Sequence, residues 1–455
     1  MNWLQTIIHN RKQLSMKVMK FGGTSVGSPQ RIKNVAQLIT SPEQKIVVLS
    51  AMSGTTNTLV EITDYLGKGN PLGANNVISR LEAVYHKHVS ELYATDEYRN
   101  ATDKFIAEEF NFLHRLTRAE FSEVIAKEIL GQGEIISTNM MTNYLKECNK
   151  SVFLLPALDF MCINAAGEPD ELQIASKLKA LLEANSGYDI YITQGFICRN
   201  IQGNVDNLQR GGSDYTASLI GAAVKADEIQ IWTDIDGMHN NDPRFVDNTQ
   251  PVEQLNFDEA AELAYFGAKI LHPTCVLPAK FAGIPVRLLN TMDPAAKGTI
   301  INNEIRRGEI KAIAAKDGIT AIRIVSSRML LASGFLSKVF NIFETFNTSI
   351  DMVTTSEVGV SMSIDNPTRL DEIVGELKKY GTVDIDRDMC IICVAGDLSW
   401  GNVGYESLAA EAMASVPVRM ISYGGSTHNI SFLIRSCDKA KALQQLSGKL
   451  FSAKS

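Results

Sequence analysis

Two glycine pairs, each at a junction between a strand-like run and a helical pattern, constrain the fold more than any other feature of this chain. The first, Gly22-Gly23, ends the apolar run Met16 to Phe21, and a helix is predicted from about Pro29, a favourable first helical residue. The second, Gly211-Gly212, lies in Arg210-Gly211-Gly212-Ser213-Asp214-Tyr215-Thr216 and leads into an apolar helix predicted from Ala217 to Lys225. Between them the pattern strand, polar loop, helix recurs. Lys45 to Ala51 reads as a strand running into the hydroxyl-rich loop Ser50 to Asn57. Ser151 to Leu155, Ile190 to Ile197, Glu228 to Thr233 and Pro285 to Leu289 read as further strands. This alternation predicts a parallel α/β sheet with its ligands at the carboxyl ends of the strands.

Glycines at a strand–helix junction expose backbone N–H groups and the positive end of a helix dipole, which suits a phosphate. Lys20, at the end of the first strand, adds a point charge with the reach to meet one. A tight turn beside a solvated lysine is the plainer reading. The segment matches neither G-x-x-x-x-G-K-[ST] nor G-x-G-x-x-G. In the second loop, Arg210 suits bidentate recognition of a carboxylate or phosphate. Ser213 fits an N-cap and Asp214 a first-turn acid, and either would explain the residue without a ligand. Residues 58–147 read as mostly helical, interrupted at Gly131-Gln132-Gly133-Glu134 before a helix predicted from Ile135 to Lys146. Glu134 either favours that helix N-terminus electrostatically or binds a substrate ammonium from a glycine loop. Lys269, near the end of a helix predicted from Phe257 to Leu271, reads by itself as dipole pairing or solvation.

The net charge of −7 over 455 residues implies no basic face and argues against nucleic acid as a main partner. Seven cysteines, an odd number scattered from Cys148 to Cys437, suit a reduced chain rather than a disulfide framework. Cys390 and Cys393 form the only close pair. They sit on a strand-like run where i and i+3 face opposite ways, so core packing is expected rather than zinc or redox chemistry. No stretch has the length of a membrane span. The apolar patch Trp3 to Ile8, followed by Arg11 and Lys12, lacks the longer apolar run and cleavage site of a signal peptide, and Met16 is an alternative start. The expectation is a cytoplasmic protein with no membrane partner.

After about residue 303 the glycine loops give way to shorter strand–helix units. Ala321 to Val325, a helix Phe335 to Phe346, Ile350 to Thr354, Val358 to Ile364, a helix Leu370 to Tyr380, and Thr382 to Ile385 give the ferredoxin-like order βαββαβ. A second set follows: Cys390 to Ala395, a helix around Glu406 to Met413, Val418 to Ser422, Ile430 to Arg435, and a helix Lys439 to Leu450. It is one strand short. Ile310 to Ala315 is expected to supply that strand, nesting one module within the other as a diverged internal repeat. The expected organisation is an N-terminal extension (1–15), a catalytic domain (16–303) and a regulatory region (304–455). Within the last, a first module at about 318–388 sits inside a second made of about 308–317 plus 389–455.

Taken in order, Lys20-Phe21-Gly22-Gly23-Thr24-Ser25-Val26, Gln194-Gly195-Phe196, Arg210 to Thr216, Trp232-Thr233-Asp234, Asp242-Pro243-Arg244 and Phe266-Gly267-Ala268-Lys269-Ile270-Leu271-His272-Pro273 resemble the aspartate kinases of the amino acid kinase superfamily. The paired modules that follow resemble ACT domains, and the kind resembled is the monofunctional, lysine-sensitive one. The resemblance covers the chain from Met16 onward. It implies the amino acid kinase fold, a parallel-sheet α/β sandwich, followed by two ACT modules. The implied reaction moves the γ-phosphoryl of ATP, bound with Mg2+, to the side-chain carboxylate of L-aspartate, the first step toward lysine, threonine and methionine.

The resemblance also distributes roles. Lys20 stabilises the transferring phosphoryl, Asp214 orients Lys20, and Arg210 completes the catalytic set. Aspartate lies between Ser50, Thr56, Glu134, Phe196, Arg210 and Ser213. The nucleotide meets Lys20, Gly22, Gly23, Thr24, Thr233, Asp234, His239, Arg244 and Lys269. His239 departs from the Tyr that relatives often carry there. Mg2+ is expected on ATP phosphates and water, with no protein ligand named. Inhibitory lysine is expected against Met329, Ser349, Ile350, Asp351, Thr355, Ser356 and Glu357, with Ala332 standing where some relatives have Ser. ACT pairing implies a homodimer or a dimer of dimers. A kinase for glutamate or acetylglutamate is the nearer alternative, and a non-catalytic amino-acid sensor the more distant one. Retention of Lys20, Arg210 and Asp214 argues against the sensor.

Overall fold

A computed structural model describes residues 16–208, 211–268, 272–326 and 333–451. They fall into two compact units, one within Met1–Gly237 and Thr274–Asn303, the other within Met238–Pro273 and Glu304–Ser455. No helix among the described residues is long and apolar enough to cross a membrane.

In chain order the first unit holds β1 (Met16–Phe21), α1 (Pro29–Leu38), β2 (Gln44–Leu49), α2 (Thr55–Gly67), α3 (Pro71–Leu92), α4 (Asp96–Leu116), α5 (Glu123–Leu130), α6 (Gln132–Glu147), β3 (Val152–Leu154), α7 (Glu171–Ala184), β4 (Ile190–Gln194), β5 (Ile197–Arg199), β6 (Val205–Asn207), α8 (Gly212–Val224) and β7 (Glu228–Thr233). The chain then contributes β8 (Gln254–Asn256) and α9 (Phe257–Tyr265) to the second unit. It returns to the first for α10 (Leu277–Ala282), β9 (Val286–Asn290) and β10 (Thr299–Asn302). The sheet of the first unit runs β3-β4-β2-β1-β7-β9-β10. All its pairings are parallel except that of β10 with β9.

The strands are apolar at nearly every position because both faces are covered. Met19, Phe21, Val47, Leu49 and Ile192 share a core with α1 to α6, while the alternate residues Val18, Ile46 and Val48 are equally buried on the other face, where α8 packs on β1. Lys20 pairs in register with Val48 on one side and Ile231 on the other, so the carboxyl ends of β1, β2 and β7 are level.

The second unit continues with β11 (Ile310–Val325), α11 (Phe335–Thr345), β12 (Val353–Thr355), β13 (Gly359–Ile364), α12 (Leu370–Leu377), β14 (Thr382–Gly396), α13 (Tyr405–Ala412), β15 (Val418–Tyr423), β16 (Asn429–Arg435) and α14 (Lys439–Phe451). Its six strands form one antiparallel sheet in the order β12-β13-β11-β14-β16-β15. β11 and β14 are long and serve both halves. The Thr320–Val325 end of β11 pairs with β13 and the start of β14. Its Ile310–Lys316 end pairs with the Ile391–Gly396 end of β14, which pairs with β16. The strand missing from the second ferredoxin-like set is therefore the first half of β11. Two hydrophobic cores lie along the sheet, one with α11 and α12, the other with α13 and α14. Cys390 and Cys393 are fully buried on β14, and burial pushes the Cys390 thiol up to about 12.

Several expected boundaries move. Ile310 to Ala315 and Ala321 to Val325 are one strand, as are Thr382 to Ile385 and Cys390 to Ala395. The polar interludes Lys316-Asp317-Gly318 and Asp386-Arg387-Asp388 are irregularities in the ladder, marked by register shifts and by left-handed Gly318 (φ 77°) and Asp388 (φ 55°). The strand expected at Ile350 to Thr354 is shorter, Val353–Thr355. Residues 238–273 lie within the second compact unit. Gly267 shows why no side chain fits there: a Cβ would lie 2.1 Å from the Ala315 carbonyl oxygen of β11.

Candidate active site

The site is assembled at the carboxyl ends of β1, β2 and β4, where the peptide chain must leave the sheet. Lys20 ends up with its ammonium 2.7 Å from Asp214 Oδ1, and both side chains are largely shielded from solvent. Asp214 stands in the first turn of α8, whose N-cap, Gly211, is left-handed (φ 73°). Ser213 is therefore not the cap. It lies in the same first turn, so close to Gly195 that a Cβ on that glycine would meet Ser213 Oγ at 2.4 Å. Lys20 bends back toward the glycine pair, its Nζ 3.7 Å from where a Gly22 Cβ would be.

The glycine pair does not open a helix directly. A turn covering residues 23–28 intervenes, and α1 begins at Pro29 under a Ser28 cap that accepts from Arg31 N–H. Gly22 N–H donates to Trp232 O at 3.3 Å, so it is engaged within the protein. Gly23 is required sterically, because a Cβ would sit 2.8 Å from Ala51 O. Thr24 is exposed in the turn, its carbonyl accepting from Arg31.

The expected glycine loop at Gly131 to Glu134 is helical. Gly131 alone separates α5 from α6, with φ −74° and ψ −14°, and Glu134 falls in the first turn of α6. Gly133 lets that turn press on the loop after β2, since a Cβ there would come within 2.5 Å of Ala51 Cβ. Glu134 is buried at 5% exposure and accepts from Ala51 N–H at 3.1 Å. Burial pushes its carboxyl up to about 7, against the Ala51 hydrogen bond and the Lys20 charge. Phe196 sits between β4 and β5 with φ 69°, spanned by an Ile197 N–H to Gly195 O bond of 2.7 Å. This tight three-residue turn is of the strained kind.

These elements enclose a cavity of about 240 Å3 lined by Lys20, Ser50, Thr56, Glu134, Phe196, Ser213 and Asp214 together with Gly211 and Gly212. Seven residues singled out in the sequence thus converge. Arg210, expected among them, lies outside the described residues. Thr233 ends β7, next to β1, and Asp234 follows it. The Thr233 carbonyl accepts from Thr291, and Asp234 is exposed. His239 and Arg244 belong to the second unit. His239 Nδ1 is 2.8 Å from Thr249 Oγ1, and Arg244 grips Asp242 through two nitrogens. Lys269 lies outside the described residues.

Sequence reading missed a layer behind the cavity. Ser137 and Thr138, almost fully buried on α6, tie Glu134 and Ser50 together, and Gln194 of β4 donates to Thr138. Their signal was the spacing of three and four residues from Glu134, which acquires meaning once the helix is taken from residue 132.

In the second unit, Ser349, Thr355, Ser356 and Glu357 are exposed and Ile350 is half-buried around Asp351, while Met329 and Ala332 lie outside the described residues. The Asp351 carboxylate is 1% exposed. Its Oδ1 takes the Lys316 ammonium at 2.8 Å and the Tyr265 hydroxyl at 2.7 Å, whereas Oδ2 has no hydrogen-bond partner among the described residues. Lys316 also pairs with Asp365 and lies 4.2 Å above the Tyr265 ring.

Residues 15–290 match the amino acid kinase family, and residues 392–450 match an ACT domain. The lysine-sensitive aspartokinase 3 of Escherichia coli is 33% identical over 451 residues, covering 95% of this chain and 99% of the relative. The solved structure of E. coli aspartokinase III with lysine and aspartate (T-state) is 32% identical with a TM-score of 0.80. The same enzyme with aspartate and ADP (R-state) is 31% identical with a TM-score of 0.81. Each alignment covers 96% of this chain and all of the other.

Proposed function

This chain belongs to the aspartokinases of the amino acid kinase family, and on that premise we propose how its cavity transfers the γ-phosphoryl of ATP to the side-chain carboxylate of L-aspartate, under control by lysine. The observation that carries the reading is the convergence of Lys20, Asp214, Ser50, Thr56, Glu134, Phe196 and Ser213 on one small cavity at the strand ends. Aspartate's side-chain carboxylate is an anion at neutral pH and needs no general base. Its oxygen forms a bond to the γ-phosphorus as the bond to the β–γ bridging oxygen breaks, and ADP leaves with that electron pair. Catalysis is then positioning plus stabilisation of spread phosphate charge. Lys20, steered by Asp214, supplies the charge. Glu134 receives the α-ammonium. Ser50, Thr56, Ser213 and Phe196 fix the rest of the substrate, and Arg210 is assigned to a carboxylate on the family pattern.

The nucleotide is assigned to Lys20, Gly22, Gly23, Thr24, Thr233, Asp234, His239, Arg244 and Lys269. Among the described residues no group of three or more His, Cys, Asp or Glu side chains is placed to hold a metal ion. Mg2+ would arrive on ATP phosphates and water, and no step above passes through a protein-bound metal. Lysine is assigned to the ACT region around Asp351, whose Oδ2, without a partner among the described residues, is an acceptor for an ammonium. Binding to one of two states would shift the enzyme toward its inhibited form. Pairing of ACT sheets between two copies and residence in the cytoplasm complete the reading.

The test traps the acyl phosphate with hydroxylamine in the presence of aspartate and MgATP, followed by titration of lysine and threonine. Absence of hydroxamate with aspartate would sink the reaction, and activity indifferent to lysine would sink the regulatory half.

A further inference from the structure

We infer that Ser137 is a positioning residue for aspartate, acting through the peptide that joins Ser50 to Ala51; the inference rests on the aspartate-kinase reading of the cavity. That peptide unit is where β2 ends and the substrate loop begins. Both of its polar atoms are held by α6. The Ser50 carbonyl accepts from Ser137 Oγ at 2.9 Å, and the Ala51 N–H donates to Glu134 Oε1 at 3.1 Å. Glu134 and Ser137 are one helical turn apart on the same face. The peptide plane is thus clamped from one side, while Ser50 N–H remains tied to Phe21 O of β1 at 3.2 Å. The orientation of this one plane sets the course of the substrate loop after Ser50 and whether Glu134 keeps its hydrogen bond.

A buried serine in a helix often does no more than bond back to its own helix, and Ser137 Oγ does lie 3.2 Å from Glu134 O. Two observations assign it to Ser50 instead. Thr138 Oγ1 already donates to Glu134 O at 2.8 Å, so that carbonyl is satisfied without Ser137. Ser137 has a single hydroxyl proton, and the Ser50 carbonyl has no other hydrogen-bond partner among the described residues. Gln194 at the end of β4 donates to Thr138 Oγ1 at 2.8 Å and accepts from Ala157 N–H at 2.7 Å, which locks the helix turn that carries the clamp.

Ser137→Ala leaves the Ser50 carbonyl unpaired and lets the peptide turn. The aspartate KM should rise about tenfold while the ATP KM stays within about twofold. The Ala51 N–H bond favours the ionised form of Glu134, so loosening it should also move the pH at which the aspartate KM falls to a higher value. A merely structural serine would lower Tm without moving that pH or separating the two KM values. The isosteric pair Ser137→Thr and Ser137→Val isolates the hydroxyl from packing should the alanine variant fold poorly: Thr should restore the KM and the pH profile, and Val should not. Wild-type protein that makes no hydroxamate from aspartate overturns the underlying reading. Active wild type with an unchanged aspartate KM in Ser137→Ala, or Thr and Val variants that behave alike, overturns the positioning role itself.

Discussion

Replacing Glu134 by Gln should make the empty protein more stable and the enzyme worse. The carboxyl is buried, and its value rises from 4.5 to about 7. The folded state therefore binds this proton more tightly than the unfolded state does. The stability it contributes is complete below about pH 4.5 and is lost as pH rises through about 7. Above that window the loss is the full shift, about 3 kcal/mol at ~1.4 kcal/mol per pH unit. Gln keeps the shape and can accept from Ala51 N–H without the charge. By denaturant unfolding without substrate, Glu134→Gln should gain up to about 3 kcal/mol over wild type near pH 8 and less than about 1 kcal/mol near pH 5. On the proposed assignment of Glu134, the same change removes the counter-charge for aspartate's α-ammonium, so the aspartate KM should rise about 10- to 100-fold. In wild type that ammonium favours the carboxylate, so the aspartate KM should fall as pH rises through about 7, and binding below that pH should release a proton, measurable by calorimetry in buffers of different ionisation heat. A stability difference that does not vary with pH would refute the argument.

Lys20→Met should lower kcat about 100- to 1,000-fold with little change in the ATP KM, because its charge matters most as the phosphoryl moves; equal losses in both would make it a ground-state phosphate contact. Gly133→Ala should cost about 1–3 kcal/mol in urea unfolding and raise the aspartate KM, since the new methyl meets Ala51 and Thr55. Asp351→Asn should raise the half-inhibiting lysine concentration at least about tenfold at unchanged kcat, and unchanged inhibition would remove Asp351 from the effector site. Lys316→Met frees Asp351 of its internal ammonium, so it should lower the half-inhibiting lysine concentration; a rise would show that Lys316 helps to hold the effector instead.

The fold was legible wherever local pattern and final packing agree. Parallel strands covered on both faces are apolar, and Met16 to Phe21, Glu228 to Thr233 and the run Ile190 to Ile197 announced themselves this way, though the last breaks after Gln194 and resumes as β5 at Ile197. The site was legible where chemistry-bearing residues sit at strand ends, as do Lys20 and Ser50. What could not be read depended on contacts distant in sequence. Gly131 and Gly133 look like a loop, but Gly133 is small because Ala51, far along the chain, presses on it. Asp386-Arg387-Asp388 looks like a strand end, but the ladder with β11 absorbs it as an irregularity and continues. Ser137 carried no signal beyond its spacing from Glu134, because its partner is a backbone carbonyl 87 residues away.

Glu134 and Asp214 show how one cavity gives two carboxylates different tasks. Asp214 is within 2.7 Å of an ammonium and remains a partner for Lys20. Glu134 has no cation in contact among the described residues; the Ala51 N–H, its own backbone N–H and the more distant field of Lys20 favour its ionised form, and burial dominates. At neutral pH the empty cavity is therefore poised between the protonated and ionised forms of Glu134 while the Lys20–Asp214 pair is already balanced. On the proposed assignment of Glu134 to the α-ammonium, an arriving amino acid would supply the missing cation and resolve that balance by fixing the carboxylate. A ligand lacking an α-ammonium would leave the buried charge uncompensated, and it would be rejected by the same desolvation that keeps Glu134 half-protonated. On that assignment, selection for an amino acid over a simple dicarboxylate would follow from burial of one side chain, with no bulky group needed to exclude the wrong substrate.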